Sequence, residues 1–256
     1  MKTQLKYWLR SGSYQFMRDD SRGLRTAALH HYVWRGKPIY YRPGSSDTGL
    51  IYKILLKKRE KAEYHVPQTI NPSVILDIGG NIGVASVYFA NRFPSARIFT
   101  FEPVPENFAI LSKNVSPYPN IHPFHLALGK QDGAIEMYCS DHPNNFGAYS
   151  FYEKGSNTSK KILVTVHSAR NLLAEIGVSR VDMIKIDTEG SEFDILTSMD
   201  EGVMRNVKWI VGELHGERDF ELLAYLSCWF EIQVKKQLKK RLFMFHACNK
   251  QFMSCV

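Results

Sequence analysis

The alternation of apolar and polar positions is most informative between residues 74 and 90. Residues 74–76 form a short apolar run with two β-branched side chains, and the run ends at Asp77. Such a run is typical of a buried strand in a parallel sheet. A glycine-rich turn at 79–83 and a mostly apolar helical segment at 82–90 follow at once. This order of strand, glycine loop and helix is typical of nucleotide-binding α/β sheets.

Strand and helix patterns also alternate along the rest of the chain. Further strands are predicted at 97–101, 121–128, 133–139, 161–167, 181–187, 209–215, 229–234 and 242–246, and helices at 48–61, 105–115 and 217–227. A long polar loop is predicted at 141–159, and an exposed lysine-rich turn at 235–241. The pattern predicts an α/β fold with a mostly parallel sheet and helices on both faces.

The glycine loop differs from the dinucleotide fingerprint G-x-G-x-x-G. Its order is Gly79-Gly80-Asn81-Ile82-Gly83, and Asp77 lies two residues before the first glycine. A carboxylate at Asp77 repels a phosphate and suits a cationic group such as an ammonium. We expect Asp77 and the backbone of Gly79, Gly80, Asn81 and Gly83 to contact the cofactor, because glycines permit close approach.

A second marker follows at the end of the next predicted strand. Glu102 stands 19 residues after Gly83, where an acid can accept two hydrogen bonds from a ribose diol. Ala127, near the end of the predicted strand 121–128, is expected beside the adenine ring. A loop that disfavours phosphate, followed by an acid for ribose, favours S-adenosylmethionine over NAD.

Three motifs together resemble the FkbM family of S-adenosylmethionine-dependent methyltransferases. They are DIGGNIG at 77–83, FEP at 101–103 and IKIDTEGSE at 184–192, and the resemblance covers about residues 40–246. Asn81 stands where many other methyltransferases carry a glycine, and FkbM-like proteins accept asparagine there. The resemblance implies a class I methyltransferase-like (Rossmann-like) seven-stranded sheet with its last strand antiparallel. It also implies methylation of a hydroxyl on a sugar, polysaccharide or secondary metabolite.

Polar residues cluster at the ends of two later predicted strands. In 181–187, Lys185 and Asp187 share one face, and a lysine in the middle of a strand is predicted to meet a carboxylate or to cap the pocket floor. In 209–215, Glu213 and His215 lie on one side. If the two strands are neighbours, these residues converge: Lys185, Asp187, Glu189, Glu213 and His215.

The chemistry of methyl transfer assigns expected roles to this cluster. The enzyme must align donor and acceptor and remove a proton from the acceptor, and His215 titrates nearest neutral pH, so it is the predicted base. A hydrogen-bonded histidine at a strand end is the alternative. Asp187 and Glu189 could hold the ammonium of the donor, orient acceptor hydroxyls, or join Glu213 in binding a divalent metal ion. Glu192 is interpreted as an acid stabilised by the dipole of the helix it begins.

Charge divides the 256-residue chain unevenly. Residues 1–72 carry 14 Lys and Arg against 5 Asp and Glu, a net +9, so the rest carries −1 of the total of +8. We therefore predict a basic, mainly helical N-terminal extension (1–72) and a methyltransferase domain (73–256). The aromatic residues of the extension either pack on the sheet domain, or help it bind a polyanion, an anionic membrane face or RNA. A stripe of Leu5, Trp8 and Leu9 favours core packing, a dimer contact or peripheral membrane contact.

Two other functions stay open at this level. An RNA methyltransferase is favoured by the basic extension and opposed by the balanced charge of the remainder, so nucleic acid is not the expected partner. A non-catalytic binding protein of the same fold is the other.

No apolar run is long enough to cross a bilayer, and the four cysteines have no C-x-x-C spacing. We therefore expect free thiols and a cytoplasmic protein with a small-molecule or glycan acceptor.

Overall fold

The computed structural model describes most of the chain. The described residues are 2–20, 28–58, 61–139, 149–150, 161–215, 218–236 and 243–255. The predicted loop 141–159 lies outside them apart from Tyr149 and Ser150, and so does most of the predicted turn 235–241. The remaining predictions about the fold can be compared with the structure.

Strands and helices alternate along the described chain. The strands are β1 (His30–Trp34), β2 (Lys37–Tyr41), β3 (Val74–Ile78), β4 (Arg97–Phe101), β5 (Ile121–Phe124), β6 (Ala127–Gly129), β7 (Gly133–Cys139), β8 (Tyr149–Ser150), β9 (Lys161–Ser168), β10 (Met183–Ile186), β11 (Trp209–Leu214), β12 (Phe230–Lys236) and β13 (Phe243–Asn249). The α-helices are α1 (Lys2–Ser11), α2 (Tyr14–Asp19), α3 (Asp47–Ile51), α4 (Val84–Arg92), α5 (Pro105–Val115), α6 (Ala169–Glu175), α7 (Glu192–Ser198), α8 (Glu201–Asn206) and α9 (Asp219–Ser227). A π-helix covers Tyr52–Leu56, and a 3-10 helix covers Lys250–Cys255.

Seven strands form the main sheet, in the order β12-β13-β11-β10-β3-β4-β5. Strands β11, β10, β3, β4 and β5 pair in parallel, and β13 is antiparallel to both of its neighbours. The predicted seven-stranded, mostly parallel α/β sheet with an antiparallel last strand is therefore confirmed. Strands β3 and β10 are neighbours, so their carboxyl ends meet at one edge of the sheet.

The central strands separate two hydrophobic cores. All five residues of β3 are buried, and Ile75 packs into one core while Leu76 packs into the other. The first core lies against α4, α5 and the N-terminal extension, and the second lies against α6 to α9. A strand covered on both faces needs apolar side chains at successive positions, which explains the uninterrupted run at 74–76.

One predicted strand is wrong. The segment 121–128 divides at His125 and Leu126 into β5 and β6, and β6 belongs to a second, four-stranded sheet of order β6-β9-β7-β8. Because β5 is the edge strand of the main sheet, the chain can leave it after Phe124 and pair elsewhere. Ala127 consequently begins β6, and it lines the same pocket as Phe101 and Glu102 at the end of β4.

The N-terminal extension shares the first core. Its described residues form α1, α2, the hairpin of β1 and β2, α3 and the π-helix, so the predicted helix 48–61 is shorter and changes its hydrogen-bonding pattern at Tyr52. Tyr7 and Phe16 are buried, and Tyr32 and Trp34 pack against the same core. These aromatic side chains support the interpretation of the extension as a cap on the sheet.

The predicted apolar stripe of α1 faces outward. Leu5, Trp8 and Leu9 are 52%, 46% and 69% exposed, so core packing is the wrong interpretation for them. Peripheral membrane contact and a dimer contact stay predictions for this face. Across the described residues, none of the helices combines the length and apolarity needed to cross a bilayer.

The turn from β3 to α4 is packed tightly against the end of β10. Gly79 has a φ of +80°, and a Cβ there would overlap the carbonyl oxygen of Asp187. The backbone N–H groups of Gly79 and Gly80 both donate to the carbonyl oxygen of Phe101, at 3.1 and 2.9 Å. Only glycine fits at position 79, because both the conformation and the space exclude a side chain.

We predict that Gly79→Ala destabilises the protein much more than Gly177→Ala. Gly177 also has a positive φ, +68°, but a Cβ there would meet nothing within 4 Å. The control therefore measures the conformational cost alone, about 1 kcal/mol. The overlap with Asp187 must add to that cost at position 79. Urea unfolding of both variants checks this, and equal losses of the free energy of unfolding would contradict the tight packing.

Candidate functional site

A pocket opens where the carboxyl ends of β3, β4 and β10 meet, which is where open α/β sheets bind ligands. The predicted site residues that line it are Gly79, Gly80, Asn81, Glu102, Ala127, Lys185, Asp187 and Glu189. Asp77, Gly83 and His215 are not among its lining residues. Leu50, Ile54 and Tyr64 of the N-terminal extension form a further part of the wall.

Glu102 links the glycine loop to the end of β4. It is only 4% exposed, and its carboxylate accepts hydrogen bonds from the backbone N–H of Asn81 at 2.8 Å and of Val104 at 3.0 Å. The side-chain amide of Asn107 donates a third at 3.3 Å. Burial raises the pKa of Glu102 to about 7, although these hydrogen bonds act in the opposite direction. The group can therefore gain or lose a proton near neutral pH.

Asp77 lies behind the loop rather than in the pocket, so the expectation that it faces the cofactor is not met. The parallel register places it directly opposite Lys185, whose Nζ lies 3.1 Å from Asp77 Oδ1. The hydroxyl of Ser86 donates to the other carboxylate oxygen at 2.5 Å. Asp77 is fully buried, and its charge is compensated by the lysine.

Lys185 behaves as a fixed cation. The prediction that it meets a carboxylate is confirmed, and its ammonium also donates to the carbonyl oxygen of Gly79 at 2.5 Å. Burial lowers the pKa of Lys185, but the charges of Asp77 and Asp187 outweigh that effect and raise the pKa above its usual value. Lys185 holds its proton, so we assign it to positioning the loop rather than to proton transfer.

Gly83 and Asn81 shape the turn in different ways. Gly83 precedes α4 with a φ of +83°, donates to the carbonyl oxygen of Gly80 at 2.8 Å, and packs against Leu111 and Val115. It therefore belongs to the turn and not to the pocket wall. Asn81 has a φ of +50°, a conformation that asparagine tolerates better than most residues, and it lines the pocket.

His215 lies among three carboxylates, as the predicted neighbouring strands β10 and β11 bring their ends together. Its Nε2 is 3.1 Å from Glu213 Oε2 and 3.6 Å from Asp187 Oδ1, and its Nδ1 is 3.2 Å from Glu192 Oε1. Burial lowers the pKa of His215, but Glu192, Glu213 and Asp187 outweigh burial and raise that pKa to about 11. The raised pKa favours the protonated imidazole over the neutral form that a general base needs, and the role of His215 as the general base stays a prediction.

The comparison with known families agrees with this geometry. The model of the methyltransferase FkbM domain matches residues 77–249. The chain belongs to the FkbM methyltransferase family. The match begins at the end of β3 and includes the glycine loop, Glu102, and the strands β10 and β11 with Asp187, Glu213 and His215 at their ends.

Three relatives illustrate the range of this family. The AMB antimetabolite synthetase AmbE of Pseudomonas aeruginosa is 28% identical over 57% of this chain and 8% of its own. The hexuronic acid methyltransferase AglP of Haloferax volcanii is 29% identical over 73% of this chain and 68% of its own. The 2-O-methyltransferase NoeI of Sinorhizobium fredii is 27% identical over 58% and 65%. The chain thus spans less than two thirds of the length of AmbE and of NoeI.

Two residues of this FkbM-family site were missed by the sequence reasoning. The hydroxyl of Tyr64 donates to Asp187 Oδ2 at 2.8 Å, although Tyr64 lies in a connecting segment without any periodic pattern. Glu192 was interpreted as a helix-dipole acid, but it is buried, accepts from the backbone N–H of Thr188 at 2.9 Å and contacts His215. Its position in the IKIDTEGSE motif was the available signal. His215 lies 23 residues further along the chain, so no local pattern shows that the two residues are in contact.

We predict that Lys185→Met lowers the free energy of unfolding by about 3–5 kcal/mol, because it leaves the charge of Asp77 buried without a partner. Lys161→Met is the matched control. Lys161 lies 3.0 Å from Glu136, but the two side chains are 49% and 56% exposed, so its loss should stay below about 1 kcal/mol. Urea unfolding measures both, and a small loss for Lys185→Met would show that Asp77 is not held as a charge.

Proposed function

We propose that this protein binds S-adenosylmethionine in the pocket and methylates a hydroxyl group of a sugar, polysaccharide or secondary metabolite. One observation carries the proposal: a single pocket brings the glycine loop and Glu102 together with Asp187 and Glu189. Membership of the FkbM family supports methyl transfer. The names of AglP and NoeI, a hexuronic acid methyltransferase and a 2-O-methyltransferase, favour a sugar hydroxyl as the acceptor.

The pocket fits the nucleoside half of this cofactor. Glu102 offers a carboxylate for the two ribose hydroxyls, and Ala127 and Leu128 offer apolar contact for the adenine ring. Asn107 is 2% exposed, and among the described residues no donor reaches its Oδ1. This buried acceptor is suited to a hydroxyl or amino group of the nucleoside. Once bound, the cofactor supplies a methyl group activated by its sulfonium.

The residues at the other end of the pocket are suited to the acceptor. As the acceptor oxygen takes the methyl group, the electron pair of the broken carbon–sulfur bond stays on sulfur and the hydroxyl proton must leave. The raised pKa values of Lys185 and His215 favour their protonated forms, so we propose the carboxylates of Asp187 and Glu189, which line the pocket, as the acceptors of this proton. Tyr64 fixes the orientation of Asp187 through its hydroxyl.

We predict that affinity for S-adenosylhomocysteine falls as the pH is lowered. The ionised form of Glu102 accepts the ribose hydroxyls, and its pKa of about 7 in the free protein means that acid removes the binding form. If only that form binds, the dissociation constant rises about tenfold between pH 8 and pH 6. Isothermal titration calorimetry measures it. Glu102→Gln should bind weakly with no such trend, and Glu106→Gln on the exposed start of α5 should behave like the unchanged protein.

The activity itself is tested in two steps. Calorimetry with S-adenosylhomocysteine and, separately, with NAD identifies the cofactor, and we expect binding of the first alone. Transfer of an isotope-labelled methyl group is then measured by mass spectrometry on neutral saccharides, on uronic-acid saccharides and on RNA. We expect label on a saccharide or another small hydroxyl compound. Label on RNA alone would favour the RNA methyltransferase, and uptake of NAD in place of the sulfonium nucleoside would overturn the assignment.

A further inference from the structure

We propose that Asp187, Glu213 and His215 form a binding site for one divalent metal ion at the acceptor end of the pocket. Each side chain offers one ligand atom, and these atoms all lie within 4.8 Å of one another. The three come from the carboxyl ends of the neighbouring strands β10 and β11, so the sheet itself fixes their spacing. Sites on strand ends are held more rigidly than sites on loops.

The separations match those of ligands around one ion. Nε2 of His215 lies 3.1 Å from Glu213 Oε2 and 3.6 Å from Asp187 Oδ1. Ligand atoms bonded at about 2.1 Å and set at right angles around an ion lie about 3 Å apart. Small movements of these side chains would therefore complete the coordination, and the backbone need not move.

Neighbouring residues hold two of the ligand side chains in orientations that suit metal binding. Glu192 Oε1 lies 3.2 Å from Nδ1 of His215 and can accept a hydrogen bond from an Nδ1–H group, and that tautomer leaves the Nε2 lone pair for an ion. Glu192 is itself 2% exposed and is held by the backbone N–H of Thr188. Tyr64 donates to Asp187 Oδ2, so the other oxygen, Oδ1, points to the histidine.

Glu213 brings a second, largely buried carboxylate to the site. Its side chain is only 8% exposed, and its Oε2 lies 3.1 Å from Nε2 of His215. A carboxylate that is removed from water in this way is stabilised by a cation beside it.

Acidic side chains predominate around the site. Glu189, Glu192 and Glu213 act on His215 together with Asp187. The nearby cation Lys53 is already paired with Glu63 at 3.1 Å, and Lys185 is paired with Asp77 at 3.1 Å. A divalent ion would add positive charge where the carboxylates of Asp187 and Glu213 converge.

The ligand set indicates the class of metal. One imidazole nitrogen with two carboxylate oxygens suits Mn²⁺ or Zn²⁺ better than Ca²⁺, which prefers oxygen ligands alone. The site lies beside Asp187, which also lines the pocket. The role of the ion rests on the proposed function. An acceptor hydroxyl bound to such an ion would lose its proton more readily to a weak base such as Glu189.

Titration with Mn²⁺ followed by electron paramagnetic resonance tests the site, because bound Mn²⁺ loses the sharp signal of the free ion. The experiment uses the full chain without nucleoside, and we expect one bound Mn²⁺ per chain, displaced by Zn²⁺. Glu213→Gln and His215→Ala should abolish this binding. Glu192→Gln should weaken it about 10- to 100-fold, because it removes the group that orients His215.

His167→Ala is the matched control, because His167 also lies near a carboxylate, 3.7 Å from Asp132, but is 37% exposed. It should bind Mn²⁺ like the unchanged protein. If His215→Ala does not fold, Asp187→Asn gives the same test, since Tyr64 can still donate to the amide oxygen. Unaltered Mn²⁺ binding by Glu213→Gln, or no binding by the unchanged protein, overturns the site.

The outcome for the metal is separable from the outcome for the cofactor. Binding of S-adenosylhomocysteine without Mn²⁺ binding would remove the metal site and leave the proposed methyltransferase intact. Stoichiometric Mn²⁺ binding without any binding of the nucleoside would retain the site and remove its proposed role.

Discussion

The buried ion pair between Lys185 and Asp77 is the interaction on which the rest of the site depends. It joins the two central strands at the level where the glycine loop begins, and the same ammonium holds the carbonyl oxygen of Gly79. A buried pair of this kind contributes little net stability compared with apolar residues, but it is very sensitive to the loss of either partner. It therefore specifies one arrangement of loop and strands.

Two acidic regions border this ion pair, one inside the pocket at Glu102 and one that reaches the pocket through Asp187. On the side of β4, Glu102 is the acid that borders the loop, and burial keeps its pKa near neutrality. On the side of β10 and β11, Asp187, Glu213 and Glu192 surround His215 and raise its pKa. The first region is suited to polar hydroxyls, and the second is suited to a cation. Lys185 lies between the two regions and neutralises the acid beneath the loop.

Much of the architecture could be predicted because its causes are local. Short segments of sequence are enough to show the apolar run at 74–76 and the polar residues at the ends of β10 and β11. A parallel sheet then brings the carboxyl ends of these strands together. The direction in which Asp77 points could not be predicted in this way. An acid before a glycine loop can face a ligand or a neighbouring strand, and the register that sets it opposite Lys185 is a long-range property.

The charge state of His215 was unpredictable for a similar reason. The carboxylates that raise its pKa follow β10, begin α7 and lie in β11, and no single short window of sequence contains all of them. The division of 121–128 into two strands depends on which sheet offers a partner after Phe124, and a hydrophobic pattern does not contain that information. Local patterns thus predicted the elements, and the contacts between distant elements decided their chemistry.

The hydroxyl of Tyr64 donates to Asp187, so the N-terminal extension contributes to the end of the pocket where Asp187 lies. Leu50 and Ile54 extend that contribution along the wall, although the region that matches the family begins only at residue 77. A shortened protein that starts at Val74, the first residue of β3, would therefore keep every strand of the main sheet but lose one side of its cavity. In a hybrid built from two members of this family, the segment before the first central strand must accompany the domain it covers.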